Sequence, residues 1–248
     1  MREEFLLEID DVSKQYYGNY VLKNVHLAVR PGEIHGLVGE NGAGKSTLMN
    51  VLFGMPVIQS TGGYEGEIRI GGQSVHFQNP REAIEAGIGM VHQEFMLIPG
   101  FSVAENIKLN REPLKDNALS RVLGSQLKTL DWPVIRRDAR QALDRVGLGI
   151  DEMLPIVGLP IGFMQFIEVA REIDKRGVRL LVFDEPTALL TEVEAARLLG
   201  VLRKIADSGI AVIFITHRLL TAEHADRILV MKEGKIEDIS RSHAVQII

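Results

Sequence analysis

The chain has 248 residues, of which 46% are hydrophobic and 25% are charged, and its formal net charge is -5. These fractions are typical of a globular protein with a substantial core, in one large domain or in a domain with a subdomain. The negative charge argues against nucleic acid as a partner, and no apolar stretch approaches the ~18 residues that a membrane span requires. The absence of cysteine excludes disulfides and thiolate metal sites and suits a reducing compartment.

Two strands are predicted near the N-terminus, at Phe5 to Val12 and at Val21 to Val29, with turn residues at Tyr17-Gly18-Asn19. Tyr16 comes just before this turn. An aromatic residue here is about as typical of a strand edge as of a ligand contact. A tyrosine in this position is also well placed to stack on a purine. The residues alone leave both interpretations of Tyr16 open.

The segment Gly39 to Thr47 reads GENGAGKST and fits the phosphate-binding pattern G-x-x-x-x-G-K-[ST] at every defined position. An apolar segment ahead of it, Glu33 to Val38, predicts a buried strand, and Ser46 to Phe53 behind it predicts a helix. A strand followed by this loop and a helix is the setting that a P-loop needs. A glycine-rich turn that serves packing alone is the alternative, but the lysine and serine in register favour the P-loop.

Each part of the predicted P-loop has a physical role. Its glycines allow a tight turn and bring backbone amides close to a triphosphate. Lys45 reaches the outer phosphates, and the Ser46 hydroxyl is offered to Mg2+. The predicted nucleotide-binding residues of the loop are Gly39, Glu40, Asn41, Gly42, Ala43, Gly44, Lys45, Ser46 and Thr47.

Beyond the P-loop helix, alternating residues predict a hairpin over Glu65 to Ile70 and Ser74 to Phe77, and Pro80 opens a short helix. Ile88 to Val91 predicts another strand, which ends in the polar cluster His92-Gln93-Glu94. Because α/β sheets present ligand-binding residues at strand ends, Gln93 is a candidate site residue.

The character of the sequence changes from Phe95 to about Phe166, where apolar residues recur at helical spacing between Pro and Gly breakers. This pattern predicts an inserted helical region with helices at Val103 to Leu109, Ser120 to Leu130 and Val134 to Val146. The segment contains no metal-ligand or catalytic spacing. We therefore expect it to make contacts with a partner and to carry no chemistry.

The segment Arg179 to Thr187 reads RLLVFDEPT, in which Leu180 to Phe183 predicts a strand that is buried on both faces. Asp184 and Glu185 follow at its carboxyl end. Buried carboxylates are costly without a partner, and a Mg2+ ion held at the P-loop would supply one. Asp184 is then the metal-side carboxylate, through a bound water, and Glu185 polarises the attacking water. The alternative is an acidic strand cap without function.

The C-terminal region predicts a helix from Thr191 to Ser208, with Thr191 as N-cap and Glu194 completing a capping box. Ile210 to Ile215 predicts a second continuous apolar strand, followed by His217. A lone histidine is more often structural than catalytic, but this one would face the same sheet edge as Asp184. A closing hairpin is predicted at Asp226 to Met231 and Lys235 to Ile239.

Taken in order, GENGAGKST, the strand end at Gln93, LLVFDEPT and the strand end ITH resemble the ATPase domain of ABC transporters, over essentially the whole chain. The resemblance implies an α/β fold: a P-loop NTPase core of ABC ATPase type with an antiparallel β subdomain and an inserted α-helical subdomain. It implies one domain over residues 1–248, in which 1–93 and 167–248 form the catalytic core and 94–166 the helical subdomain.

The resemblance also implies functional roles, with ATP and Mg2+ as cofactors. Tyr16 stacks on adenine, and Gln93 reaches Mg2+ and the γ-phosphate. Glu185 is the catalytic glutamate and His217 the switch histidine. The implied catalytic set is Lys45, Glu185 and His217, and the implied metal set is Ser46, Gln93 and Asp184.

One departure from the sequence pattern of the family indicates which of its subfamilies this chain resembles. Where the family has its signature LSGGQ, this chain has Leu159-Pro160-Ile161-Gly162-Phe163, with a later Gln165. The chain is similar to the N-terminal half of double-length ATPases of bacterial sugar and nucleoside importers, in which the first half commonly has an altered signature. That similarity implies import of a monosaccharide or nucleoside across the inner membrane by a peripheral protein at its cytoplasmic face. The implied partners are a second ATPase half, membrane permease subunits and, indirectly, a periplasmic or extracellular solute-binding protein.

Three alternatives remain at this stage. A soluble ABC protein acting on ribosomes or DNA has a similar ATPase domain, although the acidic balance counts against it. A P-loop kinase would pass its phosphate to a small acceptor. A regulatory module would bind nucleotide without turnover, which Glu185 disfavours.

Overall fold

The computed structural model describes residues 5–117 and 125–239. It divides the chain into two compact units, of which the first comprises Met1–Gln93 with Gly177–Ile248 and the second comprises Glu94–Arg176. The sequence pattern placed the second boundary at residue 166. The structure places it after Arg176, because the helix Ile161–Ile173 packs against the other helices of the second unit.

The strands of the first unit are β1 (Leu7–Tyr16), β2 (Asn19–Val29), β3 (Ile34–Val38), β4 (Glu65–Ile70), β5 (Gln73–Val75), β6 (Ile88–Val91), β9 (Leu180–Asp184), β10 (Ala211–Thr216), β11 (Arg227–Lys232) and β12 (Lys235–Ile239). Its helices are α1 (Lys45–Leu52), α2 (Pro56–Ser60), α3 (Pro80–Glu85), α7 (Glu192–Asp207) and α8 (Leu219–Ala222). The second unit contains α4 (Val103–Lys108), β7 (Leu114–Lys115), β8 (Thr129–Leu130), α5 (Trp132–Arg145) and α6 (Ile161–Ile173).

The strands of the first unit form two sheets. The larger has the order β12-β11-β3-β10-β9-β6, in which every neighbouring pair from β11 to β6 is parallel and β12 is antiparallel. Such strands are buried on both faces, which explains why β3 and β10 are buried at every position. The smaller sheet has the order β2-β1-β4-β5 and is antiparallel throughout. This confirms the predicted α/β core with an antiparallel β subdomain.

One hydrophobic core joins the two sheets and the helix after the P-loop. Leu7 and Val25 from the antiparallel sheet, Ile213 from the parallel sheet and Leu48 from α1 belong to the same buried cluster. Each such side chain contributes roughly 1.5–3 kcal/mol by leaving water. The loop between β3 and α1 is thus supported by packing on both of its flanks.

Among its described residues, the second unit contains three helices and a short hairpin. Buried residues on the facing sides of these helices form its core: Val103, Ala104, Ile107, Ile135, Ala139, Ala142, Leu143, Phe166, Ile167 and Ala170. Lys108 is 6% exposed, and its ammonium lies 3.1 Å from Asp138 and 3.0 Å from Asp174. This pairing satisfies a charge that would otherwise be costly to bury.

The predicted helix over Ser120 to Leu130 is wrong for the part that the structure describes, and residues 118–124 lie outside that part. Ser125–Leu127 forms a 3-10 turn, and β8 then pairs with β7. Leu127 and Leu130 are 44% and 38% exposed. Both leucines are thus partly exposed, and the backbone of Thr129–Leu130 pairs with that of Leu114–Lys115 in a short hairpin.

The predicted capping box of the helix after Asp184 is confirmed. The Thr191 hydroxyl accepts a hydrogen bond from the Glu194 N–H, and the Glu194 carboxylate accepts one from the Thr191 N–H. Within the described ranges, no helix combines the length and the hydropathy that crossing a bilayer requires.

His35 in β3 is a fully buried titratable group, and its Nε2 lies 3.0 Å from a Glu33 carboxylate oxygen. Burial lowers the pKa of His35 from its ordinary value, and Arg227 adds to this, whereas Glu33 and Asp238 oppose it. The unfolded chain, with a histidine pKa of about 6.5, therefore takes up this proton at a higher pH than the folded chain does. The folded state loses stability as the pH falls below about 6.5, toward the folded pKa.

We expect the free energy of unfolding to fall more steeply between pH 7 and 5.5 in the parent chain than in His35→Gln. Glutamine retains a donor for Glu33 but does not titrate. Urea unfolding at several pH values measures both slopes, and the other histidines are common to the two proteins. Equal slopes would contradict a neutral buried His35.

Candidate functional site

The parallel sheet brings four polar strand ends to one edge. Val38 pairs with Thr216, Ile215 pairs with Asp184, and Val91 pairs with Phe183. The P-loop begins directly after Val38, and His217 directly after Thr216. Asp184 ends its strand and is followed by Glu185, and Gln93 lies two residues after Val91. Because the strands are parallel, their carboxyl ends lie at the same edge, where α/β proteins bind ligands.

The P-loop backbone leaves no room for side chains at two of its glycines. A Cβ atom at Gly39 would lie 2.4 Å from the Met231 carbonyl oxygen. Gly44 has a φ of 113°, and a Cβ atom there would lie 2.9 Å from the Val21 carbonyl oxygen. The loop is therefore held between strand β11 and strand β2, with Gly44 as the N-cap of α1.

Lys45 begins α1 and folds back over the loop. Its ammonium donates to the carbonyl oxygens of Gly39 at 2.6 Å and Glu40 at 2.9 Å. Burial lowers the pKa of Lys45, whereas the carboxylates of Glu185 and Asp184 act in the opposite direction. The positive charge thus lies above the anion-binding loop and faces two carboxylates.

Asp184 and Glu185 differ in their surroundings although they are adjacent. Burial raises the pKa of Asp184, as does the neighbouring Glu185, while His92 and Lys45 oppose the rise. Glu185 has a φ of 48°, a conformation that non-glycine residues adopt rarely, and its N–H donates to the Ile215 carbonyl at 3.0 Å. This turn directs its side chain toward the end of β10.

Glu185 and His217 form a direct pair. His217 Nδ1 lies 2.8 Å from Glu185 Oε1, and the histidine side chain is 59% exposed against 14% for the glutamate. Glu185 Oε2 is buried and, among the described residues, has no hydrogen-bond partner. An unpaired buried carboxylate oxygen costs folding free energy, and such groups are concentrated at functional sites.

These groups line one cavity of about 480 Å³, within the range of small-molecule sites. Its lining residues are Val21, Asn41, Gly42, Gly44, Lys45, Ser46, Thr47, Gln93, Asp184, Glu185, Ile215 and His217. Val21 and Ile215 are apolar residues that the sequence pattern assigned only to strands. Nothing in their local sequence marks them, because the pairing of distant strands brings them here.

Some predicted site residues lie outside this lining. Gly39, Glu40 and Ala43 belong to the same loop but contribute backbone, such as the Ala43 carbonyl that accepts from Gly234 at 3.0 Å. Tyr16 is half-buried at the end of β1, opposite Asn19 on the hairpin whose Val21 lines the cavity. Its role as a base contact stays a prediction.

The predicted metal set offers a hydroxyl, an amide and one carboxylate, from Ser46, Gln93 and Asp184. These are hard oxygen donors of the kind that Mg2+ takes, together with substrate phosphates and water. In residues 5–117 and 125–239 there is no cluster of three or more His, Cys, Asp or Glu side chains suited to a metal.

Comparison with known proteins decides the family. A family model described as ABC transporter matches residues 22–188. This chain belongs to the ABC transporter family. The ABC transporter cassette MJ1267, in its ADP conformation, superposes with a TM-score of 0.80 at 22% identity, over 98% of this chain and 94% of that one. CbiO1 from Clostridium perfringens superposes with a TM-score of 0.78 at 22% identity, over 98% of this chain and 90% of that one. At 22% identity, these two structural similarities show the fold alone.

Relatives closer in sequence are named import ATP-binding proteins. Ribose import ATP-binding protein RbsA of Chelativorans sp. (strain BNC1) is 40% identical over 93% of this chain and 42% of its own length. Glucose import ATP-binding protein TsgD13 of Haloferax volcanii is 37% identical over 100% and 48%. Xylose import ATP-binding protein XylG of Geobacillus kaustophilus is 37% identical over 94% and 44%. The chain thus spans less than half the length of these ABC relatives.

The close approach at Gly39 gives a stability prediction. We expect Gly39→Ala to lower the free energy of unfolding by about 1–3 kcal/mol, because its Cβ would displace the β11 backbone. The matched control is Gly200→Ala in the interior of α7, where nothing lies within 4 Å of the added Cβ. That change should raise stability by about 0.5–1 kcal/mol. Denaturant unfolding measures both free energies. An unchanged free energy of unfolding in Gly39→Ala would contradict the close contact between Gly39 and the β11 backbone.

Proposed function

We propose that this chain is one nucleotide-binding half of an ATPase that binds and hydrolyses Mg-ATP to drive import of a monosaccharide or nucleoside across the bacterial inner membrane. The names of the relatives, which join ATP binding to the import of ribose, glucose and xylose, support this function. The protein would act as a peripheral subunit at the cytoplasmic face of the membrane.

The observation that carries the ATPase assignment is the presence of Lys45, Glu185 and His217 on one cavity. Lys45 neutralises charge on the outer phosphates. Water attacks the γ-phosphorus, the bond to the oxygen that bridges to the β-phosphate breaks, and ADP and phosphate leave. Glu185 Oε2, which has no partner among the described residues, accepts the proton of that water. His217 contacts the other carboxylate oxygen through Nδ1, and its exposed ring would contact the γ-phosphate.

The residues present suit Mg2+. Burial raises the pKa of Asp184, and the adjacent carboxylates of Asp184 and Glu185 both interact with the Lys45 ammonium. When bound, Mg2+ would neutralise charge on the β- and γ-phosphates. The Ser46 hydroxyl, the Gln93 amide and, through water, the Asp184 carboxylate would hold it.

A second ATPase half and membrane permease subunits are the proposed partners, with a solute-binding protein as an indirect one. In the second unit, Met96, Ile98 and Phe101 are 50%, 36% and 38% exposed, and Val157 is 66% exposed. Exposed apolar side chains of this kind favour protein contact. They support docking of the segment after Gln93 on a permease subunit.

Two alternative functions predict different results. A soluble ABC protein acting on ribosomes or DNA would not copurify with membrane permease subunits. A P-loop kinase would phosphorylate a small acceptor rapidly, whereas this chain, within its assembled transporter, should release free phosphate. No observation of the described site favours either alternative.

The roles of Lys45 and Glu185 can be separated. Lys45→Ala should abolish tight ATP binding, because it removes the ground-state contact with the phosphates. Glu185→Gln should leave binding intact and slow turnover by roughly 10²–10⁴-fold, since it acts on the attacking water. Calorimetry measures binding, and phosphate release by the assembled transporter measures turnover. Hydrolysis at the parental rate by Glu185→Gln would overturn its assignment.

The altered signature predicts unequal ATP sites in the assembled protein. Pro160 is the N-cap of α6, where the family has a serine, and it offers neither a hydroxyl nor an N–H. Ile161, 47% exposed, replaces a glycine of the signature. Losing one preorganised donor of this kind costs about 2.7–4 kcal/mol of transition-state stabilisation. The ATP site completed by this signature should be slow or silent, whereas the site built on Lys45 and Glu185 needs an intact signature from the partner.

Isolated chains offer each other only the altered signature. We therefore expect the unmodified chain to bind Mg-ATP as a monomer or weak dimer and to hydrolyse it poorly. Sedimentation should detect ATP-dependent dimers when Pro160→Ser and Ile161→Gly are introduced together into the Glu185→Gln chain. Strong dimerisation of Glu185→Gln without this repair, or vigorous hydrolysis by the unmodified chain, would refute the asymmetry.

A further inference from the structure

Lys14 in β1 is a buried cation outside the cavity. Its side chain is 1% exposed, although lysine is almost never fully buried without partners. Its Nζ donates to the carbonyl oxygens of Ile58 at 3.3 Å, Thr61 at 3.0 Å and Gly63 at 2.6 Å. Burial lowers the pKa of Lys14, but three acceptors match the three N–H groups of a protonated amine. The geometry therefore holds the charged form.

The same ammonium lies on one face of the Tyr16 ring, 4.8 Å from its centroid. Tyr16 is half-buried and packs against the core cluster, so the residue keeps part of its surface exposed. A cation within about 6 Å of an aromatic centroid is attracted to the ring face. Lys14 thus fixes the ring and withdraws electron density toward its inner face.

Lys14 also connects the ring to the P-loop. It pairs in register with Leu22 of β2, and the Cδ2 atom of Leu22 would lie 3.1 Å from a Cβ atom at Gly44. The carbonyls that Lys14 binds belong to the end of α2 and to the turn after α2. Helix α2 is the first helix that follows α1. The position of Tyr16 is therefore set relative to the same backbone that forms the phosphate site.

We propose that Lys14 is a positioning residue for base recognition: its buried ammonium holds the Tyr16 ring as a platform on which the purine of the nucleotide stacks. This inference rests on the proposed function and adds a residue to it. With its inner face occupied by a cation, the outer face of the ring becomes poorer in electrons and stacks better on an electron-rich purine. Lys14 should thus contribute to binding of the base and leave binding of the phosphates unchanged.

The experiment compares the affinity of this chain for Mg-ATP with its affinity for magnesium tripolyphosphate, a probe without a base, by calorimetry at pH 7. Lys14→Met should weaken ATP binding by about two- to thirty-fold, the range for a desolvated cation over an aromatic ring. Tripolyphosphate affinity should stay at the parental value. Tyr16→Leu should weaken ATP binding by about five- to 150-fold.

The matched control is Ser60→Ala. It removes an exposed hydroxyl that donates to the Val57 carbonyl at 3.3 Å, at the same end of α2, and leaves in place the ring and the three carbonyls that bind Lys14. It should leave both affinities unchanged. Adding Lys14→Met to Tyr16→Leu should cause no further loss for ATP, because Lys14 acts through the ring. Lys14→Gln, which keeps amide donors for the carbonyls without the charge, replaces Lys14→Met if thermal melts show that the latter is unfolded.

Equal ATP affinity in the parent and in the folded Lys14 variant would overturn the proposal. So would equal losses for ATP and tripolyphosphate, since those would indicate a general loosening of the site. Failure of the parent chain to bind Mg-ATP would overturn the proposed function itself, together with the role of Lys14.

Discussion

The parallel pairing of β10 with β3 on one side and β9 on the other is the constraint on which the rest of the site depends. Thr216 opposite Val38 and Ile215 opposite Asp184 fix where each strand ends. A shift of one residue in a strand would turn its side chains to the other face of the sheet. The Glu185–His217 contact at 2.8 Å therefore depends on main-chain hydrogen bonds several residues away.

The cavity holds charged groups close together, which costs folding free energy. Lys45 donates to loop carbonyls, Asp184 has its pKa raised by burial, and Glu185 keeps one buried oxygen without a partner in the described chain. A protein optimised for stability alone would neutralise or pair such groups. A polyanion with its cation would relieve these interactions, which explains in physical terms why the site favours a nucleotide.

Two buried lysines outside the cavity have different kinds of partner. Lys108 in the second unit has two carboxylates, and Lys14 in the first has three carbonyl oxygens and an aromatic face. The carbonyl partners of Lys14 leave its charge uncompensated by any carboxylate in those contacts. That charge remains available to the Tyr16 ring, which is why Lys14, and not Lys108, extends the proposed nucleotide site.

The sequence by itself determined the P-loop, the buried strands with Asp184 and His217 at their ends, and the capping box at Thr191, because these depend on local spacing and on which residues tolerate burial or a tight turn. It did not determine the hairpin at Leu114–Lys115 and Thr129–Leu130, where backbone pairing prevailed over the apparent helical spacing. It also missed the boundary after Arg176, the apolar lining by Val21 and Ile215, and the burial of Lys14. Only the tertiary structure decided these, since each depends on a segment distant in sequence that supplies a partner strand, a packing surface or carbonyl acceptors.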